Sequence, residues 1–202
     1  MTTRSPRAPR TPLRVGVLAR RRLERLGRRD AATAGTPTVQ AIQAHADAYA
    51  RREEQRFFSR MHRELVEYSV LTRTLDADLS AYDDRLSSLD APDRQHLAEA
   101  SGPVYEEIRR LERRIARTHR RTDELSALIQ SRFTAAKLRA ARYYDRSDEK
   151  VALYWGAYRA VAGRSENAPL QRPAALDRAG WLTTPDHTTV LERWRRRTDV
   201  RP

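Results

Sequence analysis

The chain contains no cysteine, which excludes a disulfide framework, thiolate catalysis and cysteine-ligated metal. Lysine is almost absent as well: of 40 basic residues, only Lys137 and Lys150 are not arginine. Glycines number seven and never fall at the spacing of a phosphate-cradling loop, so no nucleotide site is implied. No apolar run approaches the length that spans a bilayer. His45, His62, His96, His119 and His187 stand singly, without a ligand set at metal-binding spacing. Adjacent acids at Glu53-Glu54, Asp83-Asp84 and Glu106-Glu107 point about 100° apart on a helix, so they do not share a catalytic site. These absences argue against an enzyme and imply neither cofactor nor metal.

What the sequence has is charge. Its 202 residues are 33% charged, with a formal net charge of +13. An arginine excess this lopsided fits GC-rich coding, so the arginines count first as composition and only then as recognition chemistry. Their distribution is uneven: residues 1–30 carry ten arginines against two acids, residues 31–100 are net acidic, and residues 101–146 and 147–202 are basic again. A positive field attracts nucleic-acid phosphate, anionic lipid or an acidic protein, and the sum alone does not choose among them.

Residues 1–37 read as a basic, largely disordered arm. Alternating proline and arginine up to Pro12 leaves too little apolar surface to offset ordering entropy. Leu13, Val15, Val17, Leu18, Leu23 and Leu26 then allow a short basic helix over residues 13–29. The apolar stretch from Val15 to Ala19 is too short for a secretory core, so the expected location is cytoplasmic.

Residues 38–146 carry the strongest pattern. Phe58, Met61, Leu65, Tyr68, Thr72, Leu75, Leu79, Tyr82, Leu86 and Leu89 alternate three and four residues apart, which sets one seam along a long helix. After Ser101-Gly102-Pro103, where glycine ends one element and proline opens the next, Val104, Ile108, Leu111, Ile115, Thr118, Thr122, Leu125 and Ile129 repeat the spacing. The short connection between the two registers predicts an antiparallel helical hairpin of coiled-coil type, with facing residues whose numbers sum to about 193. That register sets Leu79 by Ile115, Leu65 by Ile129 and Thr72 by Thr122, the two hydroxyls satisfying each other. It also brings Asp78 to Arg114, Arg85 to Glu107 and Asp76 to His119, while Asp83 falls unfavourably near Glu112.

Residues 147–202 read as a third helix and a small irregular helical tail. A break around Asp145–Ser147 lets Val151, Tyr154, Trp155, Tyr158 and Val161 form that helix and pack over the hairpin's open end, covering Phe57, Val66, Val70 and Leu138. Short C-terminal helices follow, one over 173–178 and one opening at Thr184-Pro185, with Trp181 and Trp194 sharing a cluster. The fold class is therefore all-α. Tyr143-Tyr144-Asp145-Arg146 superficially suggests a strand-transfer tyrosine, but aromatic packing between helices explains it better.

The candidate anion-binding residues are Arg109, Arg110, Arg113, Arg117 and Arg120, a stripe facing away from the seam. With Arg114 and Arg121, which flank the seam, the basic run extends about 18 Å at 1.5 Å per residue. Arg20, Arg21 and Arg22 near one terminus and Arg195, Arg196 and Arg197 near the other complete the set. The leading expectation is a non-enzymatic helical scaffold or adaptor that makes protein–protein contacts through the hairpin and docks its basic arms on an acidic protein partner, while a second copy of the chain packing on the hairpin would give a dimeric four-helix bundle. The alternative is an accessory protein binding DNA or RNA backbone without reading bases. A membrane surface bound through residues 13–29 ranks below both.

Overall fold

A computed structural model describes residues 15–89, 102–162, 175–183 and 187–198, with side chains of the last stretch described over 191–196. The described residues are all-helical, with α1 Val17–Ala32, α2 Pro37–Arg60, α3 His62–Ser87, α4 Pro103–Ala162 and α5 His187–Thr198. A single 3-10 turn spans Gly180–Leu182, and no strand occurs among them. None of these helices is long and apolar enough to cross a membrane. The expected arm before residue 15, the connection over 90–101 and the cap at Thr184-Pro185 lie outside the described residues.

Two compact units divide the chain: Met1–Glu53 with Leu138–Thr183, and Glu54–Lys137 with Thr184–Pro202. The first is built on aromatic packing. Ala31, Tyr154, Trp155, Tyr158 and Ala162 are buried together, with Leu26 and Val39 against them. Trp155 stacks on Tyr158 with centroids 4.7 Å apart. α1 meets α4 at Gly27, where a Cβ would lie 2.5 Å from the Tyr154 carbonyl oxygen, so only glycine permits this approach. α2 meets α4 through Tyr49 stacked on Tyr143 at 4.2 Å, and Ala46, Ala50 and Ala140 on these helices are fully buried.

The turn between α1 and α2 is closed by one carboxylate. Asp30 is buried and accepts hydrogen bonds from the Thr38 hydroxyl at 2.6 Å, the Thr38 amide at 3.3 Å, Arg29 and the Tyr154 hydroxyl at 3.2 Å. It thus satisfies an orphan amide at the start of α2 and meets the positive end of that helix.

In the second unit α3 and α4 touch at residues running in opposite directions along the two helices. Arg114 Nε donates to Asp78 at 2.6 Å, Arg85 meets Glu107 at 3.1 Å and Arg121 meets Glu67 at 2.8 Å. Phe57, Phe58, Met61, Leu65, Leu125, Ile129 and Phe133 form its deep core, with Phe57 and Phe133 ring centroids 5.3 Å apart. α5 buries Leu191, sets Trp194 beside His62 and pairs Arg193 with the buried Glu54 at 3.0 Å.

Several expectations are corrected. There is no break at Asp145–Ser147 and hence no separate third helix: α4 continues to Ala162. The polar residues that resemble a breaker have tertiary partners instead. Asp145 pairs with Arg178 at 2.7 Å, Asp148 accepts the Leu176 amide at 3.0 Å, and Ser147 is buried. The same contacts explain why residues 175–179 are not helical, since the Leu176 amide goes to Asp148 and the Ala179 amide to the Tyr144 hydroxyl. Phe57 is covered without a third helix, whereas Val66, Val70 and Leu138 stay exposed.

The long first register is divided at Met61, between α2 and α3, although Met61 and Leu65 still donate to the carbonyls four residues earlier. Thr72 and Thr122 do not satisfy each other; each hydroxyl donates to its own helix, to Tyr68 and Thr118 respectively, at 2.8 Å. His119 pairs with Asp123 rather than Asp76. The repulsion expected at Glu112 is relieved by the Tyr82 hydroxyl, which donates to it at 3.1 Å.

Candidate polyanion-binding surfaces

The arginines of α4 fall into two populations set by helix geometry. Arg114 and Arg121 lie beside the contact with α3 and meet its carboxylates, Asp78 and Glu67; Arg121 also reaches Glu124 at 3.2 Å. These pairings hold both guanidinium pKa values above their ordinary position, chiefly through the hydrogen bonds that the arginines donate to Asp78 and Glu67. Arg110, Arg113, Arg117 and Arg120 are exposed on the outward side, and Arg109 is half-buried. Arg113 Nε donates to the Arg109 carbonyl at 3.1 Å and Arg117 Nε to the Arg113 carbonyl at 3.2 Å. Each side chain is therefore laid back along its own helix, at successive turns. Among the described residues, Arg110, Arg113, Arg117 and Arg120 have no carboxylate within ion-pair distance.

The N-terminal candidates separate in the same way. Arg20 pairs with Glu24 at 3.0 Å, but Arg21 and Arg22 are exposed and unpaired. Two further arginines, Arg25 and Arg28, share their face and were missed in the sequence. The signal for them was the spacing of Arg21, Arg25 and Arg28 at intervals of four and three. At the other end, Arg195 is exposed and Arg196 lies 3.9 Å from Glu192; the Arg197 side chain is outside the described set.

Between α3 and α4 an open groove of about 630 Å³ is lined by Leu79, Tyr82, Ile115 and Ala116, with Glu112, His119, Arg120 and Asp123 around it. Burial and Glu112 both push the Tyr82 hydroxyl pKa up, so the hydroxyl stays a donor at neutral pH. In the first unit, Tyr144 donates to Asp47 at 2.6 Å while accepting from the Ala179 amide. Burial, then the Asp47 contact, pushes its pKa up to about 12. This tyrosine is held as a neutral structural donor between α2, α4 and the 175–183 segment, and Tyr143 beside it is engaged in stacking. No group of three or more histidines and carboxylates suited to a metal occurs among the described residues. Comparison with protein-family models, with curated proteins and with solved structures finds no match for this chain.

Proposed function

We propose that this protein is a non-enzymatic helical scaffold, acting in the cytoplasm, whose α4 stripe docks on nucleic-acid backbone. In this reading α3 and the facing part of α4 form a coiled-coil-type hairpin that holds the stripe straight. One observation carries the proposal: Arg114 and Arg121 pair with the α3 carboxylates Asp78 and Glu67, while Arg110, Arg113, Arg117 and Arg120 meet no carboxylate among the described residues. A charge array left over after internal pairing is available to phosphate. Between Arg109 and Arg121 the outward face presents no exposed large apolar side chain of the kind that anchors protein interfaces, whereas backbone binding needs only correctly spaced cations. Aromatic residues are not interleaved with these arginines, which argues for duplex or structured backbone over stacked single strands.

The test is binding of the full chain to a random-sequence DNA duplex and a matching RNA across a salt series. The triple variant Arg113→Glu, Arg117→Glu, Arg120→Glu should keep native helicity, lose most of its affinity, and flatten the log–log salt slope by about three. Unchanged binding in the variant would reject the stripe as the site.

A second reading, an adaptor for an acidic protein, draws support from the apolar groove along Leu79, Tyr82 and Ile115, which abuts Arg120. It predicts capture by an acidic amphipathic peptide that Leu79→Arg abolishes and that duplex DNA does not compete away.

A further inference from the structure

α1 packs one side on the first unit and turns the other outward. The packed side is Leu23, Leu26, Gly27, Asp30 and Ala31, all buried or half-buried. At 100° per residue, the opposite side carries Val17, Leu18, Arg21, Arg22, Arg25, Arg28 and Arg29. Val17 is 67% exposed and Leu18 82%, the most exposed large apolar side chains described. Behind them Arg21, Arg22, Arg25 and Arg28 are exposed and have no acidic partner among the described residues. The one acid in the body of the helix, Glu24, is occupied by Arg20.

From this face we infer that α1 is an anionic-membrane contact, lying on acidic phospholipid headgroups with Val17 and Leu18 entering the interface. The arrangement is that of an amphipathic interfacial element, with apolar residues at the tip and a basic field along the same face. Charge decides the lipid class, because a zwitterionic surface has no net negative potential to attract four arginines. The apolar pair separates this face from the α4 stripe, where no exposed large aliphatic residue lies between Arg109 and Arg121. A nucleic-acid backbone would use the arginines but leave Val17 and Leu18 in water. The sequence ranked a membrane low because residues 13–29 show no clean apolar stripe. The structure changes that order by assigning Leu23 and Leu26 to packing and leaving Val17 and Leu18 on the arginine side.

The experiment is co-sedimentation of the full chain with phosphatidylcholine vesicles with and without about one third phosphatidylserine. Three variants accompany it: Val17→Ser/Leu18→Ser, Arg21→Gln/Arg22→Gln/Arg25→Gln/Arg28→Gln, and the α4 triple glutamate variant. All substitutions are at exposed positions, and circular dichroism checks that helicity is kept. The expected result is binding only to the anionic vesicles, weakened on the order of a thousandfold by the glutamine variant and about a hundredfold by the serine variant. The α4 variant should bind vesicles almost as the parent does, so failure of the nucleic-acid reading and failure of this one are distinguishable. Because the chain has no cysteine, Leu18→Cys carries a single environment-sensitive dye, whose emission should shift to the blue on anionic vesicles. Absence of vesicle binding, binding unaffected by the serine variant with no dye shift, or loss of binding in the α4 variant alone would each overturn the inference. The second of these outcomes would identify the face as a site for soluble polyanions.

Discussion

Two stretches of the second unit share one spacing of apolar residues and differ in what that spacing achieves. Near the end of the unit that α5 covers, Leu65 and Ile129 are fully buried, with Phe57, Met61 and Phe133 around them. Farther along the same two helices Leu79 is 41% exposed and Ile115 half-buried, both lining an open groove. Periodicity makes residues face each other; it does not make them buried. Two helices cover only the seam between them, and its flanks stay open unless another element packs there. In the deep end aromatic residues of α2 and the apolar side of α5 supply that cover.

The largest expected effect tests this contrast directly. Leu65→Ala should cost about 2–5 kcal/mol, as a cavity in a closed core does, whereas Leu79→Ala should cost about 1 kcal/mol, since much of that side chain is already in water. Urea unfolding of the two variants measures both, and equal losses would abolish the distinction between the stretches. The first unit provides a further case of depth made by a third element, because α1 is seated on α4 through Gly27. Gly27→Ala should cost about 1–3 kcal/mol by forcing the helices apart, read as a lower midpoint and as loss of amide protection in α1. A stabilising effect, as expected for alanine in a free helix, would mean that α1 does not dock as described.

Helical class and the Gly102-Pro103 start of α4 were legible because each depends on local spacing, and the pairs Asp78–Arg114 and Arg85–Glu107 because an antiparallel return of the chain brings them together. The continuity of α4 was not. Asp145, Ser147 and Asp148 resemble a breaker until their partners Arg178 and Leu176, some thirty residues away, are known. The Thr72 and Thr122 layer was misjudged for a related reason: a threonine inside a helix has a carbonyl of its own within reach. The candidate stripe was legible as an array. Which of its members are spoken for depended on the carboxylates that α3 presents, and Arg25 and Arg28 lay in the segment read as a possible short basic helix over residues 13–29.

In the thinly covered stretch, polar pairing carries more of the specificity, and the two halves of one ion pair should respond unequally. Asp78 is buried while about half of the Arg114 side chain is exposed. Arg114→Ala leaves a carboxylate buried without its cation, whereas Asp78→Ala releases an arginine that water can solvate. The melting temperature should therefore fall further for Arg114→Ala than for Asp78→Ala. The double variant should resemble Asp78→Ala alone, and the reverse order would show that Asp78 finds water once Arg114 is removed.

The smallest effect is the acid response of Asp30, the buried carboxylate of the well-covered first unit. Burial raises its pKa, but hydrogen bonds from Thr38, Arg29 and Tyr154 outweigh burial and hold it below the ordinary value of 3.8. A folded-state pKa below the unfolded one means that the unfolded chain binds the proton first. The stabilisation is therefore fully present above about pH 4 and is lost as pH falls from there through the folded value. Asp30→Asn cannot titrate, so its stability should change less than the parent's between pH 4 and pH 2.5, and the gap between the two should narrow as acid is added. A gap that widened toward low pH would mean that Asp30 is protonated more readily in the folded chain. The network around Thr38 would then not be what keeps the carboxylate charged.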